Sequence, residues 1–172
     1  MMVATNYIHQ QTLRNLCLMI RNNMSEANIV VRDYREADRP FLRTLFLSSR
    51  KQGWPWLDPQ HWQLEDFDNA TFDEIILVAE LRGHIAGFAS LWPPDSFLHN
   101  LFVDPDYQRQ GVASALLAAC YPLCRATLAL KCLRENLGAQ QFYLHHGWKI
   151  ISSGRGENGK YYLMHKTNPQ ER

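Results

Sequence analysis

The sequence predicts an α/β fold: a single domain with a mixed, mostly antiparallel sheet, flanked by helices, and a β-α-β unit at its centre. Three observations carry this. The runs Ile75-Ile76-Leu77-Val78-Ala79, His84 to Leu91 and Leu98 to Val103 are rich in strand formers and are joined by the short turns Arg82-Gly83 and Trp92-Pro93-Pro94-Asp95. Strands joined so tightly run antiparallel. The third run breaks at Asp104-Pro105-Asp106, which a strand tolerates poorly. It resumes with Val112, Leu116 and Leu117 at helical spacing, ahead of the apolar run Thr127 to Cys132. Strand, helix, strand in that order makes a parallel crossover. Finally, Trp148 to Ser152, Gly154 to Gly159 and Tyr161 to Met164 read as a closing hairpin.

The elements follow in chain order. Ile8, Leu13, Leu16, Met19 and Ile20 have roughly helical spacing, and Met24 to Arg32 reads as a fresh start. Residues 1–23 are therefore expected to be an N-terminal extension, or an over-called start, with the domain spanning 24–172. Ile29 to Arg32 is the first strand, and Asp33 to Asp38 turns the chain. Pro40 suits the first turn of a helix, and Phe41, Leu42, Leu45 and Phe46 give that helix an apolar stripe. Gly53 to Pro59 interrupts it. Asp58 followed by Pro59 is a good helix entry, which predicts a second short helix over Gln60 to Phe67. Gly111 to Leu123 is the crossover helix. Asn136 to His146 is the last helix, stopped by Gly147 as a C′ residue.

Composition narrows the functions. A chain of 172 residues, 46% hydrophobic, can bury one sizeable core. A net charge of +1 with no Lys/Arg run argues against nucleic acid or a membrane surface as the main partner. No apolar run reaches membrane-spanning length, and Met1-Met2-Val3 lacks the basic start of a signal peptide. Cys17, Cys120, Cys124 and Cys132 form no CxxC pair. Cys120 and Cys124, a turn apart on a helix, would ligate metal only if partners converged, and read as buried thiols. Asn23-Met24-Ser25 and Asn69-Ala70-Thr71 match the glycosylation sequon, which without a secretory signal is coincidence. The expectation is a soluble, reduced, cytoplasmic protein without a metal.

The stretch from Leu98 to Leu117 organises the chain. Its loop enters the helix through Gly111 and Ala113, whose small side chains let a ligand approach the backbone. The first-turn N–H groups have no intrahelical partner, so this helix start suits an anion, and Arg109 adds a full charge beside it. An ordinary βα turn would read the same over a shorter match. Gln108-x-x-Gly111-x-Ala113, after Val103-Asp104-Pro105, resembles the acetyl-CoA signature Q/R-x-x-G-x-G/A of the GNAT (GCN5-related) N-acetyltransferase family. Asn136-Leu137-Gly138-Ala139-Gln140-Gln141-Phe142-Tyr143-Leu144-His145-His146-Gly147-Trp148 resembles its second motif, N-x-x-A-x-x-F-Y-x-x-x-G-F. The resemblance covers roughly Ile29 to Lys166. It implies a GNAT-type domain with a central β-α-β acetyl-CoA site, and acetyl transfer from acetyl-CoA to a primary amine of a small molecule or protein, by direct attack in a ternary complex.

By that resemblance, Gln108, Arg109, Gln110, Gly111, Val112 and Ala113 hold the pyrophosphate. Leu101, Phe102 and Val103 align the pantetheine arm on a strand that splays from the next. Asn136 contacts the arm, and Tyr143 protonates the departing sulfur. Asn136 and Tyr143 are two helical turns apart, on one face, and a phenol is protonated at neutral pH. A helix cap is the alternative for Asn136, and a core aromatic for Tyr143. Some relatives place a basic Glu where Lys131 stands, so that base is absent. His99 is the candidate base: strand alternation puts it on the face of Leu101 and Val103, and its setting resembles that of a His in the arylalkylamine N-acetyltransferases. A structural His is the alternative. His145 and His146 read as structural, at a helix end that favours cations. Trp54, Trp56 and Trp92 are expected either to wall an acceptor site for an apolar amine or peptide N-terminus, or to close the core. Rival readings are a non-catalytic module binding acyl-CoA or a partner, and a toxin-type aminoacyl-tRNA acetyltransferase, which the near-zero charge disfavours. A homodimer is compatible with either enzyme reading.

Overall fold

Seven strands form one sheet in a computed structural model that describes residues 28–124 and 127–167. They are β1 (Ile29–Asp33), β2 (Ile75–Leu81), β3 (His84–Trp92), β4 (Phe97–Val103), β5 (Leu128–Leu133), β6 (Lys149–Gly156) and β7 (Gly159–Lys166). The order is β1-β2-β3-β4-β5-β7-β6, antiparallel at every junction except β4–β5. The helices are α1 (Arg39–Gly53), α2 (Asp66–Ala70), α3 (Val112–Cys120) and α4 (Leu137–His145). The expected extension over 1–23, with its helical stripe, lies outside the described residues.

Alternating side chains of the sheet feed two cores. Leu77, Ala79 and Leu81 pack with Val112, Leu116 and Leu117 of α3 and with Tyr143 of α4. Val78 and Phe88 point the other way, onto Leu42, Leu45 and Phe46 of α1 and Phe67 of α2. Phe41, expected in the α1 stripe, is exposed. The Arg82-Gly83 turn has positive φ at both residues, the backbone a two-residue hairpin needs.

Two helix boundaries differ from expectation. The second short helix spans Asp66–Ala70, not Gln60 to Phe67. Asp58 does accept a bond from Gln60 N at 3.0 Å, and Trp62 N bonds Pro59 O at 3.1 Å. That single turn goes no further, because Asp66 re-anchors the chain by accepting from Gln63 N at 3.0 Å and from Arg50 at 2.8 Å. The crossover helix ends at Cys120, and the Tyr121-Pro122-Leu123 segment tightens into a 3₁₀ turn, as a proline without an N–H favours.

The parallel junction positions everything else. β4 and β5 pair only at Phe97 and Ala129, with Ala129 N bonding Ser96 O at 2.9 Å. Beyond that point the two strands part. β4 stays with β3 as far as Val103, and β5 stays with β7 along its whole length. Within the β3–β4 pairing Leu98 faces Leu91 and Asn100 faces Ser90, so His99 is an extra, bulged residue. Gly87 opposite Val103 is a further condition: a Cβ there would lie 2.6 Å from the Phe102 carbonyl oxygen.

Candidate active site

The parting of β4 and β5 joins two clefts, one on each face of the sheet, of about 820 and 800 Å3. Leu101, Val103, Gln108, Ala139 and Tyr143 line both, so the gap is a passage through the sheet.

The first cleft lies on the α3–α4 face. Arg109, Gly111, Val112, Ala113 and Ser114 line it. The loop is held by its own side chains: Asp104 accepts from Asp106 N at 2.9 Å, and Gln110 bonds Asp106 O at 3.1 Å. Arg109 and Gly111 have φ of +60° and +88°, a left-handed backbone that suits glycine. His146 donates from Nδ1 to Phe142 O at 2.8 Å, and its Nε2 lies 2.9 Å from Ser114 Oγ, tying α4 to α3 along this cleft. Among the residues expected here, Gln110 does not line the cleft, and Phe102 faces the other core, packed against Phe46 and Trp54.

The second cleft lies on the α1–α2 face, and reaches β5 and the turn between β6 and β7. Asn136 lines this one. It is the α4 cap, its Oδ1 accepting from Ala139 N at 3.1 Å, which leaves its amide nitrogen for a ligand. Trp54 lines the cleft, edge-on to Trp62. Trp56 is exposed, Trp92 pairs with Phe97 at the other end of β4, and neither lines either cleft. Arg50 is buried, bonded to Asp66, with its guanidinium 4.1 Å from the Phe46 ring centre.

His99 differs from expectation. The bulge shifts the alternation by one residue. Leu98, Leu101 and Val103 pack into the α3–α4 core, while His99 is held on the opposite side. Its Nδ1 bonds Glu74 Oε1, Glu74 Oε2 takes the Ser90 hydroxyl, and Asn100 Nδ2 bonds Ser90 Oγ at 2.8 Å and Ala70 O at 3.2 Å. Glu74, Ser90 and Asn100 carry no motif, and only the β2–β3–β4 pairing brings them to His99.

Tyr143 stands where the clefts meet, in T-shaped contact with Phe142 and Trp148. Burial pushes its phenol well above the ordinary range, so it stays protonated. Burial likewise pushes the Cys132 thiol up to about 11. Cys120, Cys124 and Cys132 are buried.

A family model described as the acetyltransferase (GNAT) family matches residues 34–148. The chain belongs to that family. This GNAT domain is 25% identical over 143 residues to the Escherichia coli K12 protein called uncharacterized N-acetyltransferase YafP, covering 79% of this chain and 88% of that one. The PaiA N-acetyltransferase of Thermoplasma acidophilum, solved with coenzyme A, superposes with a TM-score of 0.69 at 18% identity, over 81% of this chain and 99% of that one. The ribosomal-protein-S18-alanine N-acetyltransferase of Escherichia coli gives 0.62 at 22% identity, over 81% and 94%. Both likenesses agree with the observed fold.

Proposed function

We propose that this GNAT protein is an N-acetyltransferase that moves the acetyl group of acetyl-CoA to a primary amine by direct attack in a ternary complex. The observation that carries the reading is the passage between β4 and β5, where clefts from opposite faces meet at Tyr143.

The residues present fit acetyl-CoA. The edge of β4 past Phe97 is left unpaired by β5, as an extended amide-bearing arm requires. The first turn of α3 offers its N–H groups beside Arg109 to the pyrophosphate. Acetyl-CoA supplies an activated acetyl group and leaves as a thiol. The acceptor comes from the α1–α2 face, where Trp54 offers an aromatic wall and His99 reaches the same cleft. His99 Nε2 takes a proton from the amine, directly or through water. The Tyr143 hydroxyl gives a proton to the sulfur and regains one from solvent, so one proton leaves the amine and one arrives at the thiol. Cys132 is the one cysteine among the described residues lining a cleft. Held protonated by burial, it is a poor nucleophile, which favours direct attack over an acetylated cysteine.

Isothermal titration with acetyl-CoA, beside an assay of CoA thiol release across a panel of amines and N-terminally free peptides, tests the reading. Saturable binding plus amine-dependent release is expected. Binding with no release under any acceptor would return a non-catalytic module, and no binding would overturn the assignment.

A further inference from the structure

One buried carboxylate in the acceptor half is used by none of the steps above. Glu74 precedes β2 with its side chain 7% exposed, and its ion-pair partner among the described residues is His99, not a Lys or Arg. Both oxygens are engaged, Oε1 by His99 Nδ1 and Oε2 by the Ser90 hydroxyl. The direction of the chain is set by what each group can do. The Asn100 amide nitrogen only donates, and it donates to Ser90 Oγ. Ser90 then spends its single proton on Glu74. An ionised carboxylate only accepts, so the proton of the Glu74–His99 bond sits on Nδ1. In a neutral imidazole the lone pair is then on Nε2.

The ring is also held in place. Phe97 lies 4.6 Å from it, centre to centre, and the bulge turns it out to the acceptor cleft, 46% exposed. The other charged groups lining that cleft are Arg50 of α1, Asp66 of α2, Lys131 of β5 and Glu157 of the β6–β7 turn. Arg50 and Asp66 pair with each other, and among the described residues none of the four forms an ion pair with His99. A buried carboxylate without a cation is costly. A neutral glutamine has one acceptor oxygen and one donor nitrogen, so it cannot accept from both Ser90 and His99 as the carboxylate does.

The geometry points to Glu74 as the positioning residue of the base: it locks His99 in the Nδ1–H tautomer and presents the Nε2 lone pair to the acceptor. This deepens the acetyl-transfer reading and rests on His99 as base, yet its test needs neither acetyl-CoA nor an acceptor. The full chain, labelled with 15N-histidine, is examined by long-range proton–nitrogen correlation, and His99 is assigned by its loss in His99→Gln. The expected wild-type signature, above the pH at which the ring is protonated, is a pyrrole-type Nδ1 and a pyridine-type Nε2. Glu74→Ala should reverse the ratio towards the Nε2–H form that predominates in free histidine. Glu74→Gln, whose single oxygen is taken by the Ser90 hydroxyl so that its NH2 faces Nδ1, should shift the ring the same way. A wild-type His99 in the Nε2–H form, or an unchanged tautomer in folded Glu74→Ala or Glu74→Gln, overturns the proposal. If Glu74→Ala does not fold, the wild-type and Glu74→Gln spectra still decide. Acetyl transfer can survive a failure here, and the tautomer can survive a failure of acetyl transfer.

Discussion

The two faces of the parted sheet are built differently. The α3–α4 cleft is lined largely by two local stretches, 101–114 and 138–146, with backbone, small residues and apolar packing doing the positioning. The α1–α2 cleft gathers residues from 46 to 161 and is held by side-chain pairs: Arg50 with Asp66, His99 with Glu74, and Asn100 with Ser90. A dinucleotide-like cosubstrate can be met by a standard loop. An acceptor is met by whatever side chains the tertiary structure assembles. The first face should therefore fail all at once when its backbone is spoiled, and the second residue by residue.

Gly111→Glu is the largest expected effect. It puts a side chain at φ +88° and an anion in the loop. Acetyl-CoA binding should disappear in titration calorimetry, while the melting temperature falls by only a few degrees, because strain at one left-handed residue costs about 1–2 kcal/mol. Retained affinity would mean that the loop does not hold the cosubstrate.

Tyr143→Phe and His99→Ala test the junction between the faces. The first removes one hydroxyl and little volume. It should leave acetyl-CoA affinity intact and lower kcat by about 10²–10⁴-fold. His99→Ala should be slow chiefly at low pH and recover as pH rises, since the acceptor then supplies its own neutral amine. A pH profile parallel to wild type would remove His99 as base, and a fully active Tyr143→Phe would remove Tyr143 as acid.

Smaller effects separate the tryptophans. Trp54→Ala removes aromatic contacts to Trp62 and Phe102 and should raise the acceptor KM by up to about tenfold, with the acetyl-CoA KM unchanged. Trp56→Ala should change either KM by less than about twofold, being a surface substitution away from both clefts.

The last test is acid. The Arg32 guanidinium holds the Asp38 carboxyl below the ordinary range, and Arg43 does the same for Asp68. At Asp66 burial pushes upward, but Arg50 and the Gln63 N–H outweigh it. A carboxylate depressed in the folded state adds stability above its unfolded value and loses it as pH falls through the folded one. Below the ordinary carboxylate range, α1 and α2 should therefore exchange amide protons faster before α3 and α4 do. Simultaneous opening would show that these pairs are not what holds that face.

The sequence by itself determined the strand and helix succession, the parallel crossover and the position of the loop before α3. Those features are local: alternation, helical spacing, and the backbone preferences of Gly111, Pro105 and Gly147. Tyr143 was singled out by the likeness of the stretch from Asn136 to Trp148 to the family's second motif; helical periodicity added only that it shares a face with Asn136. Tertiary structure decided the rest. The bulge at His99 changes the parity of β4, which an unbroken alternation cannot reveal, and so moves that side chain to the face of Asn100. Glu74 is 25 residues from His99 and carries no pattern of its own; only strand pairing makes them neighbours. Asp66 likewise starts its helix six residues later than Gln60, because Arg50 on α1 holds it there, and the long-range ion pair outweighs a good local cap.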